Sequence, residues 1–251
     1  MGKTLAIILN HNTPDITDFL YNQLKPFEDL QNFELCVLDN GSPESGQSIH
    51  TTDYLKKNIF FGGALNYAFK KVLKKPDYDS LLFLNSDIIV NGEILVKTLR
   101  EKMFNYNYDI LAPSISTNWT GYATLNMHKH MRSWGTDGIR DVKYVDFQCP
   151  LFNRTFIEHV KSFSDDLMYG IGQDLFAGMI CEDNDMKIGV VDSVNVYHEW
   201  AHTLRSNSSK LNLQNFAVVS NEAMNAYAKV NGLSERLSEF FKYGREYGKT
   251  C

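Results

Sequence analysis

The chain has 251 residues, enough for one large domain or two small ones, and its 43% hydrophobic and 22% charged residues exclude a disordered, collagenous or low-complexity protein. Lys plus Arg number 25 against 30 for Asp plus Glu, so the net charge of −5 supplies no global positive field to gather nucleic acid or anionic lipid. The 4 cysteines, Cys36, Cys149, Cys181 and Cys251, form no C-x-x-C pair, which argues against a zinc knuckle or a dense disulfide framework and fits reduced thiols in a cytoplasmic setting.

The first apolar run, Leu5–Leu9, is far shorter than the ~20 residues a membrane span needs and ends in Asn10-His11-Asn12 rather than a small-residue cleavage site, so neither an export signal nor a span is expected. Its length suits a strand covered on both faces. Ile16, Phe19, Leu20 and Leu24 then recur with helical spacing. The alternation continues with a strand over 34–38, a helix over 64–73, a strand over 80–84, a helix over 93–103 and a short strand over 110–113. Residues 114–142 read as a long loop or small insertion carrying Trp119, Tyr122 and Trp134. Beyond it, 144–152 reads as extended, 155–160 and 172–181 as helical, 188–197 as extended, and 213–230 and 234–247 as two helices parted by Asn231-Gly232.

Strands alternating with helices predict an α/β fold: a single domain with a mostly parallel central sheet flanked by helices, followed by C-terminal helices. The expected division is 1–212 for the main domain, with halves meeting near 113, and 213–251 for a helical extension that packs on it, pairs two chains or touches a membrane. Ligands of such sheets bind beyond the carboxyl ends of the strands. Each apolar run here ends in polar residues: Asn10-His11-Asn12, Asp39-Asn40-Gly41-Ser42 and Asn85-Ser86-Asp87. Asp87 is either a turn acid or an oxygen ligand for a hard divalent cation. Asp39 is either a turn former or an acceptor for a ribose hydroxyl or base imide. Gly62 and Gly63, before a predicted helix, allow close backbone approach to a diphosphate. Neither a G-x-G-x-x-G nor a Walker-type loop is present, which disfavours a dinucleotide dehydrogenase or a P-loop ATPase.

Five short segments occur in a telling order. They are the run ending Asn10-His11-Asn12, then Val37-Leu38-Asp39-Asn40-Gly41-Ser42, then Asn58 through Gly62-Gly63 to Asn66, then Leu82-Phe83-Leu84-Asn85-Ser86-Asp87, and finally Gly170-Ile171-Gly172-Gln173-Asp174-Leu175. With Val194–His198 closing a late strand, the series resembles the inverting nucleotide-sugar glycosyltransferases of the GT-A fold, family-2 type, especially their rhamnosyltransferase-like branch. The resemblance spans roughly residues 5 to 205. It implies a hexosyl or deoxyhexosyl transfer from a nucleoside-diphosphate sugar to an acceptor hydroxyl.

The resemblance also implies roles. Asn10, Asn12 and Asp39 would line the nucleoside pocket, with Asn58, Gly62, Gly63, Asn66, Asn85 and Ser86 completing the donor site. Asp87 matches the last acid of the family's D-x-D and would hold Mn²⁺ or Mg²⁺ on the diphosphate, with His198 as a second metal ligand or a hydrogen-bond donor to the diphosphate; the residue chemistry alone also allows a surface or satisfied core histidine. The first acid of that motif is Asn85 here, so one negative charge is missing. Asp174 matches the catalytic acid that takes the acceptor's proton, and Gln173 stands where another acid usually precedes it. The residue chemistry alone also allows Asp174 to be a helix cap. Gln173, Trp119, Tyr122 and Trp134 are candidate acceptor contacts, for a glycan, another hydroxyl-bearing molecule or a modified nucleic acid. A homo-oligomer is compatible with the sequence.

A rival reading is a zinc metallopeptidase. His198-Glu199-Trp200-Ala201-His202 is a literal H-E-x-x-H, with Glu222 at a spacing similar to the third ligand of thermolysin-like enzymes. That motif must lie within a helix, whereas the approach from Val190 to Val196 is β-branched and alternating, the pattern of a strand. A third reading is a nucleotide-sugar-binding protein without turnover. Asn118-Trp119-Thr120 matches a glycosylation sequon but lacks the export signal that would give it use.

Overall fold

The computed structural model describes residues 2–116, 126–198 and 213–247. In chain order these form β1 (Lys3–Asn10), α1 (Pro14–Leu24), β2 (Phe33–Asp39), β3 (Asp53–Tyr54), α2 (Phe60–Lys74), β4 (Tyr78–Asn85), β5 (Ile88–Ile89), α3 (Leu95–Tyr106) and β6 (Ile110–Ile115). There follow β7 (Ile139–Asp141), β8 (Leu151–Asn153), α4 (Arg154–Val160), α5 (Gln173–Asp183), β9 (Ile188–His198), α6 (Leu213–Val230) and α7 (Ser234–Glu246). Local chemistry sets several of these limits. Pro14 opens α1, where its missing N–H costs nothing. Lys75, held extended by the following Pro76, ends α2. Asn153 caps α4 by accepting the Phe156 N–H at 2.7 Å.

The 9-stranded sheet runs β3-β2-β1-β4-β8-β6-β9-β5, with β7 beside β9. From β3 to β4 every pairing is parallel. Farther across, β8 inserts antiparallel between β4 and β6, while β6 and β9 are parallel. This is the expected α/β domain, with a central sheet that is mixed rather than mostly parallel: β8, β7 and β5 pair antiparallel. Its core follows from strand periodicity: Leu5 and Ile7, Cys36 and Leu38, and Leu81 and Phe83 face the α2, α4 and α5 side. Ala6 and Ile8, Leu35 and Val37, and Leu82 and Leu84 face the α1 and α3 side. Covering both faces explains the continuous apolar runs, since each fully buried Leu or Ile contributes about 1.5–3 kcal/mol. The C-terminal helices bury Met224, Ala228, Leu237 and Phe240 against Tyr144, Leu167, Leu175 and Phe176.

Two stretches differ from the sequence expectation. Only Leu151–Asn153 of the expected strand over 144–152 joins the sheet as β8. Pro150 has no N–H for a ladder, and residues before it run as a loop along the end of β4, through Phe83 N–H to the Pro150 carbonyl and Asn85 N–H to the Gln148 carbonyl, both 3.0 Å. The expected loop over 114–142 is partly regular. Ser114 and Ile115 extend β6, and β7 pairs antiparallel with β9, where Arg140 forms a buried ion pair with Asp192 at 2.6 Å. Trp119 and Tyr122 lie outside the described residues, as do Asn118 and Cys251. Among the described residues, no helix is long and apolar enough to cross a membrane.

Candidate active site

The strand order turns at β1, which has β2 on one side and β4 on the other, so a crevice opens beyond their carboxyl ends. A cleft of about 510 Å³ lies there. Its floor at the β1 and β2 ends is built from amides. Asn10 is fully buried, donating from Nδ2 to Asp39 Oδ2 at 2.6 Å and to the Gly46 carbonyl at 2.9 Å. Its Oδ1 accepts from the Thr17 hydroxyl at 2.9 Å and from Thr13. Asp39, also 0% exposed, accepts the Ser42 N–H at 2.8 Å with its other oxygen. These two residues stand beneath the cleft rather than on its wall. Above them, His11, Asn40 and Asn58 reach the cleft. Asn58 Nδ2 donates to His11 Nε2 at 3.0 Å, so the imidazole proton resides on Nδ1. Burial lowers the His11 pKa against the opposing pull of the Asn40 carbonyl and Asp39. Asn58 Oδ1 also accepts the Phe60 N–H at 2.7 Å and helps hold Phe60 at φ +58, an uncommon backbone for a bulky residue. That conformation starts α2 and presents the Phe60 ring to the cleft and to Tyr169, 4.7 Å away between centroids.

At the end of β4, Asn85, Ser86 and Asp87 all line the cleft. The short β5 that follows pairs antiparallel with the tip of β9, Ile88 opposite His198, and this register places His198 Nε2 3.2 Å from Asp87 Oδ1. Burial alone would lower the His198 pKa, but the Asp87 charge and hydrogen bond, with a contribution from Asp146, outweigh it and the net direction is upward. His198 Nδ1 is buried without a hydrogen-bond partner among the described residues. One hard carboxylate oxygen and one imidazole, side by side at the cleft, are donor types that suit Mn²⁺. The donor set is therefore compatible with the divalent cation expected from the sequence.

Across the cleft, Asp174 occupies the first turn of α5, preceded by Gly172 at φ +90, where a Cβ would strike Met224 of α6. Burial, and then the charge of Asp146, push its carboxyl up to about 8 against the backbone N–H groups of Leu175, Asp174 and Gly172 that favour the carboxylate. Asp146 is brought there by the loop that runs along β4. It accepts from Gln148 Nε2, and its Oδ2 lies 3.5 Å from His128 Nε2. His128, Asp146 and Asp174 each offer one ligand atom, all within 4.8 Å of one another. Burial lowers the His128 pKa, followed by opposed contributions from Asp146, which raises it, and His198, which lowers it further.

Of the residues singled out from sequence, the structure brings Asn58, Asn85, Ser86, Asp87, His198 and Asp174 to one cleft. Others are elsewhere. Asn12, at φ +57, touches His11 from behind at 3.3 Å. Gly62 is not a phosphate cradle: its N–H donates to the Met168 carbonyl at 2.8 Å, and a Cβ there would lie 2.4 Å from Gln173 Nε2, so glycine lets α2 meet the loop before α5. Gly63 faces Ile59. Asn66 clamps the backbone of Phe163 with both ends of its amide. Gln173 is fully buried against Gly62, away from the cleft wall, and neither amide atom has a hydrogen-bond partner among the described residues. Trp134 lies beneath Arg140, 4.2 Å from ring to guanidinium, and not in the cleft. His198 ends an 11-residue strand, which is incompatible with a helical H-E-x-x-H. Glu199 and His202 fall outside the described residues, and Glu222 is exposed on α6.

Sequence reasoning missed His128, Asp146 and Gln148. The available signal was an acid and an amide inside the apolar run Tyr144-Val145-Asp146-Phe147-Gln148-Cys149, since polar groups at half-buried positions need a reason.

The fold and the cleft define a class: single α/β domains whose crevice opens at the strand-order switch. No protein-family model matches the chain, and no curated protein matches by sequence. Solved structures do match in shape. S. aureus TarS 1–349 in complex with UDP-GlcNAc superposes with a TM-score of 0.63 at 17% identity, covering 99% of this chain and 74% of that one. GalNAc-T7 with UDP, GalNAc and Mn²⁺ gives 0.59 at 12% identity over 99% of this chain and 57% of that one. A197 from STIV gives 0.51 at 17% identity, covering 78% and 85%. At these identities the likeness establishes the shared GT-A-type fold.

Proposed function

We propose that this protein transfers a sugar from a nucleoside-diphosphate donor to an acceptor hydroxyl with inversion at the anomeric carbon. The observation that carries the reading is convergence. A carboxylate–imidazole pair, Asp87 and His198, and a half-buried carboxyl on a helix start, Asp174, reach one cleft from distant parts of the chain. The ordered motifs shared with family-2 enzymes support it, as do the UDP-sugar and the UDP with Mn²⁺ named for two structures of the same fold. The nucleoside would rest against His11, Asn40 and Asn58, with Asn10 and Asp39 shaping that wall from below. Asp87 and His198 would hold the divalent cation, which supplies positive charge against the diphosphate as the sugar departs. Asn85 adds a neutral amide there.

The acceptor oxygen attacks the anomeric carbon and forms the new C–O bond while Asp174 takes the hydroxyl proton. The bond between sugar carbon and phosphate oxygen breaks, and its electron pair leaves on the diphosphate. Burial of Asp174 gives it a proton affinity near that needed by a general base working close to neutrality. The aromatic wall of Phe60, Tyr169 and Phe216 offers apolar faces to a sugar ring.

A thermal-shift panel of nucleoside diphosphates and their hexoses, with and without Mn²⁺, tests the reading. One nucleotide should stabilise the protein, more strongly with the metal, and proton NMR of the product should show the opposite anomeric configuration from the donor. Indifference to every nucleotide would sink the reading, whereas donor uptake without transfer or slow hydrolysis would return the chain to the class of binding proteins.

A further inference from the structure

Resting on the transferase reading, we infer that Asp146 is a second acceptor-binding residue, and that with Asp174 it takes two adjacent hydroxyls of one sugar ring, so that the acceptor is a vicinal diol. The geometry is particular. Asp146 and Asp174 offer oxygens within 4.8 Å of each other on the base side of the cleft, together with a nitrogen of His128. Asp146 is held in place: Gln148 Nε2 donates to it and His128 Nε2 lies 3.5 Å from the same oxygen. An independent observation points to a missing donor. Gln148 is only 2% exposed, lines the cleft, and its Oε1 has no hydrogen-bond partner among the described residues. A buried amide oxygen left unpaired costs about 1–3 kcal/mol unless a ligand or water satisfies it.

The lining at this end is thus rich in acceptor capacity: two carboxyls, a glutamine oxygen and an imidazole nitrogen. What satisfies such a set is a molecule carrying several O–H donors close together, and adjacent sugar hydroxyls are that molecule. One hydroxyl gives its proton to Asp174 as its oxygen bonds to the anomeric carbon. Its neighbour keeps its proton and hydrogen-bonds to Asp146, which orients the ring. The rings of Tyr169, five residues before Asp174 in the loop leading to α5, and of Phe216 on α6 both line the cleft, 6.0 Å apart between centroids, where the apolar face of that sugar would rest.

The test uses the full chain with Mn²⁺ and a panel of nucleoside-diphosphate hexoses. Methyl α-mannoside and methyl β-galactoside, each beside its single-deoxy counterparts, serve as acceptors, and nucleotide release and product are read together. The wild type should favour at least one intact diol over its deoxy counterpart by about 100-fold in kcat/KM. Asp146→Asn, isosteric and neutral, should raise KM for that diol at least tenfold, keep most of kcat, and erase the discrimination. Equal use of diol and deoxy acceptors by the wild type overturns the inference and leaves the transferase reading standing. So does an Asp146→Asn enzyme with unchanged KM and preference, or donor hydrolysis that none of the glycosides accelerates. Loss of Mn²⁺-dependent nucleotide binding in Asp146→Asn would make the cluster a cation site and also overturn it. No nucleotide binding and no nucleotide release from any donor would remove the transferase reading and this inference together.

Discussion

The ends of β1 and β2 and the opposite end of the same cleft are both rich in polar side chains, yet they are built on different principles. Around Asn10 and Asp39 the carboxylate and amide groups are paired within the protein, with Asn10 alone engaging Asp39, Gly46, Thr13 and Thr17. Around Asp87, His198, Asp146 and Asp174, carboxyls and imidazoles crowd together, and donor or acceptor atoms of His198 and Gln148 lack partners among the described residues. A satisfied network rigidifies, whereas a frustrated one stores capacity for a ligand. Polar residues at strand ends are therefore a guide to location, and the state of their hydrogen bonds distinguishes frame from chemistry.

Substitutions can break that contrast. The largest effect is expected at Asp174→Asn, which should lower turnover about 10³-fold while nucleotide affinity changes less than about twofold, as read by single-turnover kinetics and calorimetry. A variant retaining full activity would end its assignment as base. Asp87→Ala should follow, weakening Mn²⁺-dependent nucleotide binding by about 10–100-fold, with little change in the metal-free titration.

Asn10→Ala should act on the fold instead. It leaves Asp39 Oδ2 and the Gly46 carbonyl without the donor they share, and urea denaturation should show a loss of about 2–4 kcal/mol. A loss of activity with unchanged stability would move Asn10 from frame to site.

Titration sharpens the same contrast. Because the Asp174 carboxyl is raised from 3.8 to about 8, and the base works deprotonated, kcat/KM should climb with pH and level off above about 8. Asp146→Asn removes one raising charge and should move that limb to lower pH. The sign for stability is opposite: this carboxyl stabilises the fold below its ordinary range, and that contribution is lost as pH rises through about 8. Asp174→Asn should thus melt higher than the wild type at alkaline pH, by on the order of 3 °C, with the gap closing in acid. The smallest effect belongs to Glu222→Ala. Exposed on α6, it should shift stability by less than about 0.5 kcal/mol and leave activity intact, whereas zinc loss on that substitution would revive the peptidase.

Elements with strong periodicity were legible in the chain. The alternation of Leu5 to Ile8 between two cores, the helical stripe of α1 and the Gly232 break between α6 and α7 all follow from spacing and turn chemistry. So was the placement of Asp87, His198 and Asp174, because a strand end or helix start projects its polar residue toward the crevice. Less legible were residues whose role depends on what lies across from them. Gly62 promised a phosphate cradle and instead admits the loop before α5, since a missing Cβ serves any close neighbour equally well.

By itself, then, the sequence determined the layered α/β fold and the polar strand ends, because those depend on burial with a fixed period along the chain. Only the tertiary structure decided that Asp39 is closed off with its partners, that His198 stands against Asp87, and that Asp146 and Gln148 stand beside Asp174. Those are matters of register and loop path, and no local pattern encodes the distance between side chains brought together from separate segments of the chain.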